Sequence, residues 1–259
     1  MKDFFRPIEN GKPFVLFSID HLLFISSVIF IIFLIYIYRD KMKKNKLFYE
    51  RLLIYSLLIS EGSLHVWRIY VGKWSLTTSL PFHLCGISII ISIFMLINKK
   101  FYLFELTYFW GLIGAFIAII TPTLDVNYTH YRFWQFLVAH ASIVFAVVYM
   151  IFVENYKVNY KSVWKTFAIT NFIAFIVGII NIFLDSNYLF LCGKPMGSSK
   201  TLFDFLGPWP WYLLTIEILA ITVFHIWYIP FWLKNEINFV DSNKKIKERM
   251  EGVNFYERD

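Results

Sequence analysis

Seven stretches of mainly apolar residues follow one another along the chain, and they constrain its fold more than any other feature. They fall at about 15–38, 47–70, 80–98, 101–121, 132–153, 164–184 and 211–233. A helix needs about 20 such residues to cross a bilayer. Inside lipid every backbone N–H and C=O must be satisfied within its own element, so segments of this length read as helices. Composition agrees: of 259 residues 58% are hydrophobic and 17% charged, with a mean hydropathy of +0.57. Soluble domains run at about 45–50% and 25%. A soluble enzyme, a secreted disulfide scaffold and a disordered tail are excluded. The sequence predicts an all-α, polytopic membrane bundle of seven transmembrane helices, one domain over 1–259. The first stretch does not read as a cleaved signal peptide. It is too long, carries Asp20 and His21, runs into Arg39-Asp40-Lys41 and has no small-residue cleavage site.

Charge gives the orientation. The odd-numbered loops and the segment from Lys234 onward hold fifteen Lys and Arg residues, the opposite set six. Basic loops stay on the cytoplasmic side, so the N-terminus is expected outside and the C-terminus inside. The net charge of +7 therefore reports sidedness and does not call for a nucleic-acid partner. The basic tail, 234–259, reads as a solvated cytoplasmic end with lipid headgroups in reach. The aromatic content of 21% fits a chain that uses Phe as its default hydrophobe and does not itself imply an aromatic site. Residues 185–210 form a long outer connection containing Leu189, Phe190, Leu191, Phe203, Phe205 and Trp209. Long loops in compact domains tend to be functional or disordered, and these apolar residues argue for a lid or re-entrant segment. Gly207-Pro208-Trp209-Pro210-Trp211 makes a rigid lead-in to the last span.

Ionisable side chains inside spans are costly and are the first place to look for a site. Span one carries Asp20 and His21. Glu61, His65 and Arg68 share one face of span two, four and three residues apart. Span three opens with His83 and Cys85, the latter about 7 Å in. Span five has Gln135 and, about 12 Å in, His140. Asp125 follows span four, and Glu217 and His225 lie in span seven. These groups fall in the outer half, whereas Glu50, Arg51 and Glu105 near the inner helix ends are expected to snorkel. The bias predicts an outward-facing polar cavity. Bland readings stand beside it: an ion-pair cluster for Glu61, His65 and Arg68, solvation for Asp20 and His21, interhelical hydrogen bonds for Asn171 and Asn181, and a satisfied core histidine for His225.

Cys85 has three readings. Two cysteines cannot make a thiolate metal site, and no metal or cofactor is expected. Cys85 and Cys192 share the outer side and so have the option of a disulfide. Cys85 can also be an inert buried thiol. The third reading is a nucleophile attacking an acyl carbon, activated by a histidine. His83 points to a different helix face, which leaves His140 as the better base.

Leu80-Pro81-Phe82-His83-Leu84-Cys85, Leu191-Cys192-Gly193-Lys194-Pro195 and Leu206-Gly207-Pro208-Trp209-Pro210-Trp211-Tyr212 together resemble the YwaF-like family of bacterial integral membrane proteins, which includes animal transmembrane protein 164. The resemblance covers nearly the whole chain and implies a multi-pass protein of a bacterial plasma membrane. It further implies acyl transfer between phospholipid and lysophospholipid through a thioester on Cys85, with His140 as base. Glu61, Arg68, Asp125 and Glu217 are then expected to hold the headgroup or orient His140. A lipid-ester hydrolase is the variant outcome, decided by water at the acyl-enzyme. The competing class is a non-enzymatic transporter or ligand-binding protein using the same cavity. A retinal protein is disfavoured because Lys234 lies at the end of the last span.

Overall fold

The structure is a computed structural model that describes residues 4–8, 12–194 and 205–256, with side chains through 234. Phe203 of the expected lid and the side chains of the basic tail lie outside the described residues. All secondary structure among the described residues is helical: α1 (Ile19–Ile37), α2 (Arg39–Lys44), α3 (Lys46–Tyr70), α4 (Leu84–Asn98), α5 (Phe101–Leu106), α6 (Ile113–Ile120), α7 (Tyr131–Phe152), α8 (Tyr160–Leu184) and α9 (Trp211–Tyr256). A π-helical turn, Thr107–Leu112, joins α5 to α6 into one continuous unit.

A helix stands in each of the seven predicted stretches. Five are long and apolar enough to cross a membrane: α1, the Phe101–Ile120 unit, α7, α8 and the Trp211–Lys234 part of α9. The other two differ for identifiable reasons. In α3 there are 25 residues, but Glu50, Arg51, Glu61 and Arg68 interrupt its apolar surface. In α4 there are only 15, because Leu80–His83 forms a turn instead of the expected first helical turn. Pro81 explains the late start: its backbone folds back on the new helix, and a Cβ on Gly86 would stand 2.9 Å from the Pro81 Cα.

Local chemistry sets other ends. Asn159 and Ser162 form a reciprocal capping box, and α8 accordingly starts at Tyr160, before the expected 164. Phe17 has a left-handed φ of 57°, so α1 starts only after it.

The bundle is organised around α7, which packs against α1, α3, α4, α6 and the π turn. Ala139, Ala141, Ser142 and Ala146 on α7 are buried, and side chains this small let neighbouring backbones approach, the main source of helix affinity where lipid is as apolar as the core. At the π turn the approach is closest: a Cβ on Gly111 would stand 2.7 Å from Ile143 Cγ2. The pair α8 and α9 is peripheral: α9 meets the rest through Tyr108, whose hydroxyl donates to the Trp227 carbonyl at 2.8 Å, and the Phe109–Phe224 ring contact, and α8 through Thr170, which accepts from the Trp110 indole at 2.7 Å.

Arg51 is exposed, but the expectation that Glu50 and Glu105 snorkel needs correction. Glu105 is 3% exposed and accepts from Ser162 Oγ at 2.7 Å and Lys165 Nζ at 2.5 Å. Glu50 pairs with Lys99 at 2.8 Å and accepts from the Tyr149 hydroxyl. A carboxylate under that much protein cannot reach water and is held by fixed cations instead. Buried polar groups are therefore not confined to one half of the bundle.

Candidate functional site

The C-terminal end of α3 and the N-terminal ends of α4 and α7 bring together much of the polar band. Helix α3 presents Glu61, His65 and Arg68 on one face. Glu61 Oε1 lies 3.4 Å from His65 Nε2. On its other side His65 Nδ1 accepts from the Trp74 indole at 3.0 Å. With Nδ1 an acceptor, the ring proton sits on Nε2 and faces Glu61. Arg68 Nη1 donates to the Thr78 carbonyl at 3.3 Å.

From α7 comes Gln135, whose amide donates to the Ser60 carbonyl at 3.0 Å. Its side-chain oxygen accepts from Arg132. Glu61, Arg68 and Asp125 all act electrostatically on Arg132.

Cys85 sits in the first turn of α4, partly buried, with a free thiol; Cys192 is also free and is exposed. The disulfide alternative is not realised in this structure. Glu61 lies within electrostatic reach of the Cys85 thiol. Below Cys85 on the same helix stripe are Ser88 and Ser92, at spacings of three and seven. Both are buried, and neither hydroxyl has a hydrogen-bond partner.

His140 is buried in the middle of α7. Its Nδ1 lies 2.7 Å from the Phe136 carbonyl, and its ring stacks on Phe136 with centroids 4.2 Å apart. A carbonyl only accepts, so Nδ1 carries the proton and Nε2 keeps the basic lone pair. No hydrogen bond joins Cys85 to His140 among the described residues, although their helices pack together.

The remaining candidates are placed elsewhere. His21 is fully buried and fully engaged: Nδ1 accepts from the Phe17 amide at 3.1 Å, and Nε2 donates to the Ile119 carbonyl at 2.8 Å. It ties α1 to the end of α6 and has no free nitrogen. Asp20, its neighbour, is partly exposed, and Asp125 is exposed in the loop before α7. Glu217 accepts from Asn171 on α8 at 2.9 Å, within the peripheral pair. His225 donates through Nδ1 to the Ile221 carbonyl of its own helix at 2.8 Å and rests on Tyr160 and Trp164. His83 precedes α4, with its ring against Tyr188 and Phe190.

Several residues at the site were not singled out in the sequence. Arg132 was taken as the start of an apolar span, yet it lies three residues before Gln135, a spacing that places both on one face. Tyr188 holds the lid. It is fully buried, its hydroxyl donates to the Leu76 carbonyl at 2.7 Å and accepts from the Leu80 amide at 3.0 Å. Asn181 in turn clasps both the Tyr188 amide and its carbonyl. The first half of the 185–210 connection is thereby fastened over the start of α4, while Trp209 and Tyr212 bond to the carbonyls of Leu191 and Phe190. On the opposite side the segment 4–8 covers α3 and α7: Trp67 donates to the Phe5 carbonyl at 3.1 Å and His130 to the Arg6 carbonyl at 2.8 Å. Tyr188, Asn181, Trp209, Tyr212, Trp67 and His130 thus hold this end of the bundle together, and no period in the sequence marks them.

Among the described residues no group of three or more His, Cys, Asp or Glu is arranged to hold a metal ion. A cavity of about 610 Å³ lies between α1, α2, α3 and α7, mostly apolar, with Ser27, Lys41 and the hydrogen-bonded Ser56–Ser142 pair among its lining. Comparison with curated proteins and with solved structures gives no match. Comparison with family profiles gives one over residues 16–228, which takes in every helix described above through most of the last span. With an apolar helical bundle on one side and that match on the other, the chain belongs to the TMEM164 family of membrane proteins.

Proposed function

We propose that this protein is a seven-span membrane enzyme that moves an acyl chain between phospholipid and lysophospholipid through a thioester on Cys85. In this reading α3 and α4 complete the set of spans, the N-terminus is outside, the C-terminus is cytoplasmic and the membrane is a bacterial plasma membrane. The observation that carries it is the position of a free thiol in the first turn of α4, next to the loop that Tyr188 fastens at Leu80. A helix start favours a developing thiolate, and residues one turn below the outer interface meet lipid ester carbonyls without pulling the lipid from the bilayer.

The chemistry runs as follows. The Cys85 sulfur attacks the ester carbonyl carbon, its proton passing to His140 Nε2. The carbon–oxygen bond breaks, the lysophospholipid oxygen leaves with that proton, and the acyl chain remains on sulfur. A second lysophospholipid hydroxyl then attacks the thioester, its proton goes by the same route, and the thiol is restored. His140 has the tautomer such a base needs, with Nδ1–H fixed on Phe136. Because Cys85 and His140 are not hydrogen-bonded to each other, the transfer takes an intervening hydroxyl or closure of the first turn of α4 on substrate binding. Acyl exchange between labelled phospholipid and lysophospholipid, followed in reconstituted protein, tests the reading. Cys85→Ala should abolish exchange while the thermal midpoint is kept; unchanged exchange would eliminate the mechanism. Ligand-dependent flux insensitive to Cys85→Ala would instead support the transporter alternative.

A further inference from the structure

At the outer ends of α3 and α7 lies a second, smaller cavity of about 190 Å³ with a cationic wall. Arg68 and Lys73 line it from the end of α3 and the loop beyond, Arg132 from the first turn of α7, and Pro7 and Ile8 from the N-terminal segment. Trp67 contributes an apolar side, and the Arg132 guanidinium carbon stands 5.8 Å from the Trp67 ring centroid, a stacking that orients its plane.

Among the described residues the side-chain hydrogen bonds of the two arginines go to neutral groups. Arg68 donates to the Thr78 carbonyl and Arg132 to the Gln135 side-chain oxygen. Among the described residues no carboxylate lies within ion-pair distance of either. The nearby acids are otherwise disposed: Glu61 faces His65, and Asp125 is exposed. Two guanidiniums that act on each other, both partly withdrawn from water, make an unliganded site electrostatically unfavourable. A bound oxyanion relieves both costs.

We propose that this cavity binds the phosphate of a glycerophospholipid headgroup, with Arg68 and Arg132 as its two guanidinium ligands. The planar fork of arginine matches phosphate oxygens in pairs, which a lysine cannot do. The volume suits a headgroup and not a whole lipid, so the acyl chains stay in the bilayer. Arg68 and Arg132 come from α3 and α7, both of which pack on α4 and so link the phosphate site to the helix that carries the candidate nucleophile. The assignment rests on the acyl-transfer reading only in naming the lipid as substrate; the anion site itself is measurable without turnover. Inorganic phosphate shares the chemistry and is the alternative source.

The test is a binding titration of purified protein in an uncharged detergent, read by thermal midpoint and tryptophan fluorescence. The probes are a short-chain phosphatidylglycerol, inorganic phosphate and an uncharged short-chain diacylglycerol. The phospholipid should saturate at a concentration about tenfold or more below phosphate, and the diacylglycerol should give no saturable response. Arg132→Gln and Arg68→Gln should each weaken the phospholipid about tenfold or more, Arg132→Lys less, and Lys44→Gln on the far side not at all. The two arginine positions are independent, so a folding failure at one leaves the other to decide. Phosphate binding as tightly as the phospholipid overturns the headgroup assignment. Diacylglycerol binding equally well, or unchanged affinity in the arginine variants, overturns the site. Cys85→Ala should bind the phospholipid like the parent protein, so loss of the acyl-transfer reading and loss of this one register separately.

Discussion

Tyr188 shows how much one side chain decides at the outer surface. Its hydroxyl bridges a carbonyl and an amide in the loop that leads into α4. Tyr188→Phe keeps the ring contacts with Phe82 and His83 but leaves both backbone groups unpaired. The expected cost is about 1–3 kcal/mol, measured as a lower thermal midpoint together with faster proteolysis of the 185–210 connection. His130 is a second such position, outside the spans. Burial, opposed by the bond to the Arg6 carbonyl and reinforced by the charges of Arg6 and Arg132, holds its imidazole below the ordinary histidine range. Its Nδ1 accepts from the Arg132 amide, and a proton there breaks that bond. A depressed folded value means that the stabilisation is complete above the unfolded pKa, about 6.5, and is lost as pH falls through the folded one. The thermal midpoint should therefore drop on acidification below about pH 6.5, and His130→Gln should flatten that dependence. An equal slope in the variant would assign the effect elsewhere. At His140 the expectation concerns rate: His140→Gln should slow acyl exchange about 10²–10⁴-fold without changing phospholipid binding.

At the scale of elements, two glycines set how closely backbones approach. Gly86 lets the Leu80–Phe82 turn lie on the start of α4, with Pro81 where a Cβ would go. Gly86→Ala must push that backbone outward, carrying the first turn of α4 and Cys85 with it. Exchange activity should fall further than stability, a split read by comparing turnover with the thermal midpoint. Gly111 lets the π turn meet α7 at Ile143. Gly111→Ala overpacks this contact, with an expected loss of about 1–3 kcal/mol and little specific effect on phospholipid binding. The helices themselves were legible because apolar length is enough to mark them. The starts at Phe101 and Trp211 were legible too, whereas those of α1, α4 and α8 were not, since these depend on Phe17, Pro81 and the Asn159 cap acting against neighbours.

For the whole molecule the open expectation is sidedness. The distribution of Lys and Arg puts the loop before α3 inside and the loop after it outside. In a Cys192→Ser background, Leu76→Cys should react with a membrane-impermeant maleimide on intact cells, and Lys44→Cys only after the membrane is opened. The reverse pattern would invert the topology and move the candidate site to the inner leaflet. Sequence also suggested that buried charge would mark one leaflet, and here packing disagreed. Glu105 and Glu50 are enclosed by Lys165, Ser162, Lys99 and Tyr149. Which helices stand beside them is invisible in the order of residues.

The sequence by itself determined the solvent of this protein, its helical class and the location of every apolar segment, because hydrocarbon leaves a backbone so few ways to satisfy its own polar groups. It also carried the Leu80–Cys85 and Gly207–Trp211 segments on which the resemblance rested, and both fall inside the stretch that the family profile matches. Only the tertiary structure decided which of the polar residues are available. His21 has both nitrogens bound and Glu217 belongs to a peripheral pair, while Arg132, which no pattern in the sequence marks, lines one cavity with Arg68. Those outcomes depend on partners far apart in the chain. Hydrogen bonding and charge act over a few ångströms of space, and no spacing along a single strand of residues encodes that distance.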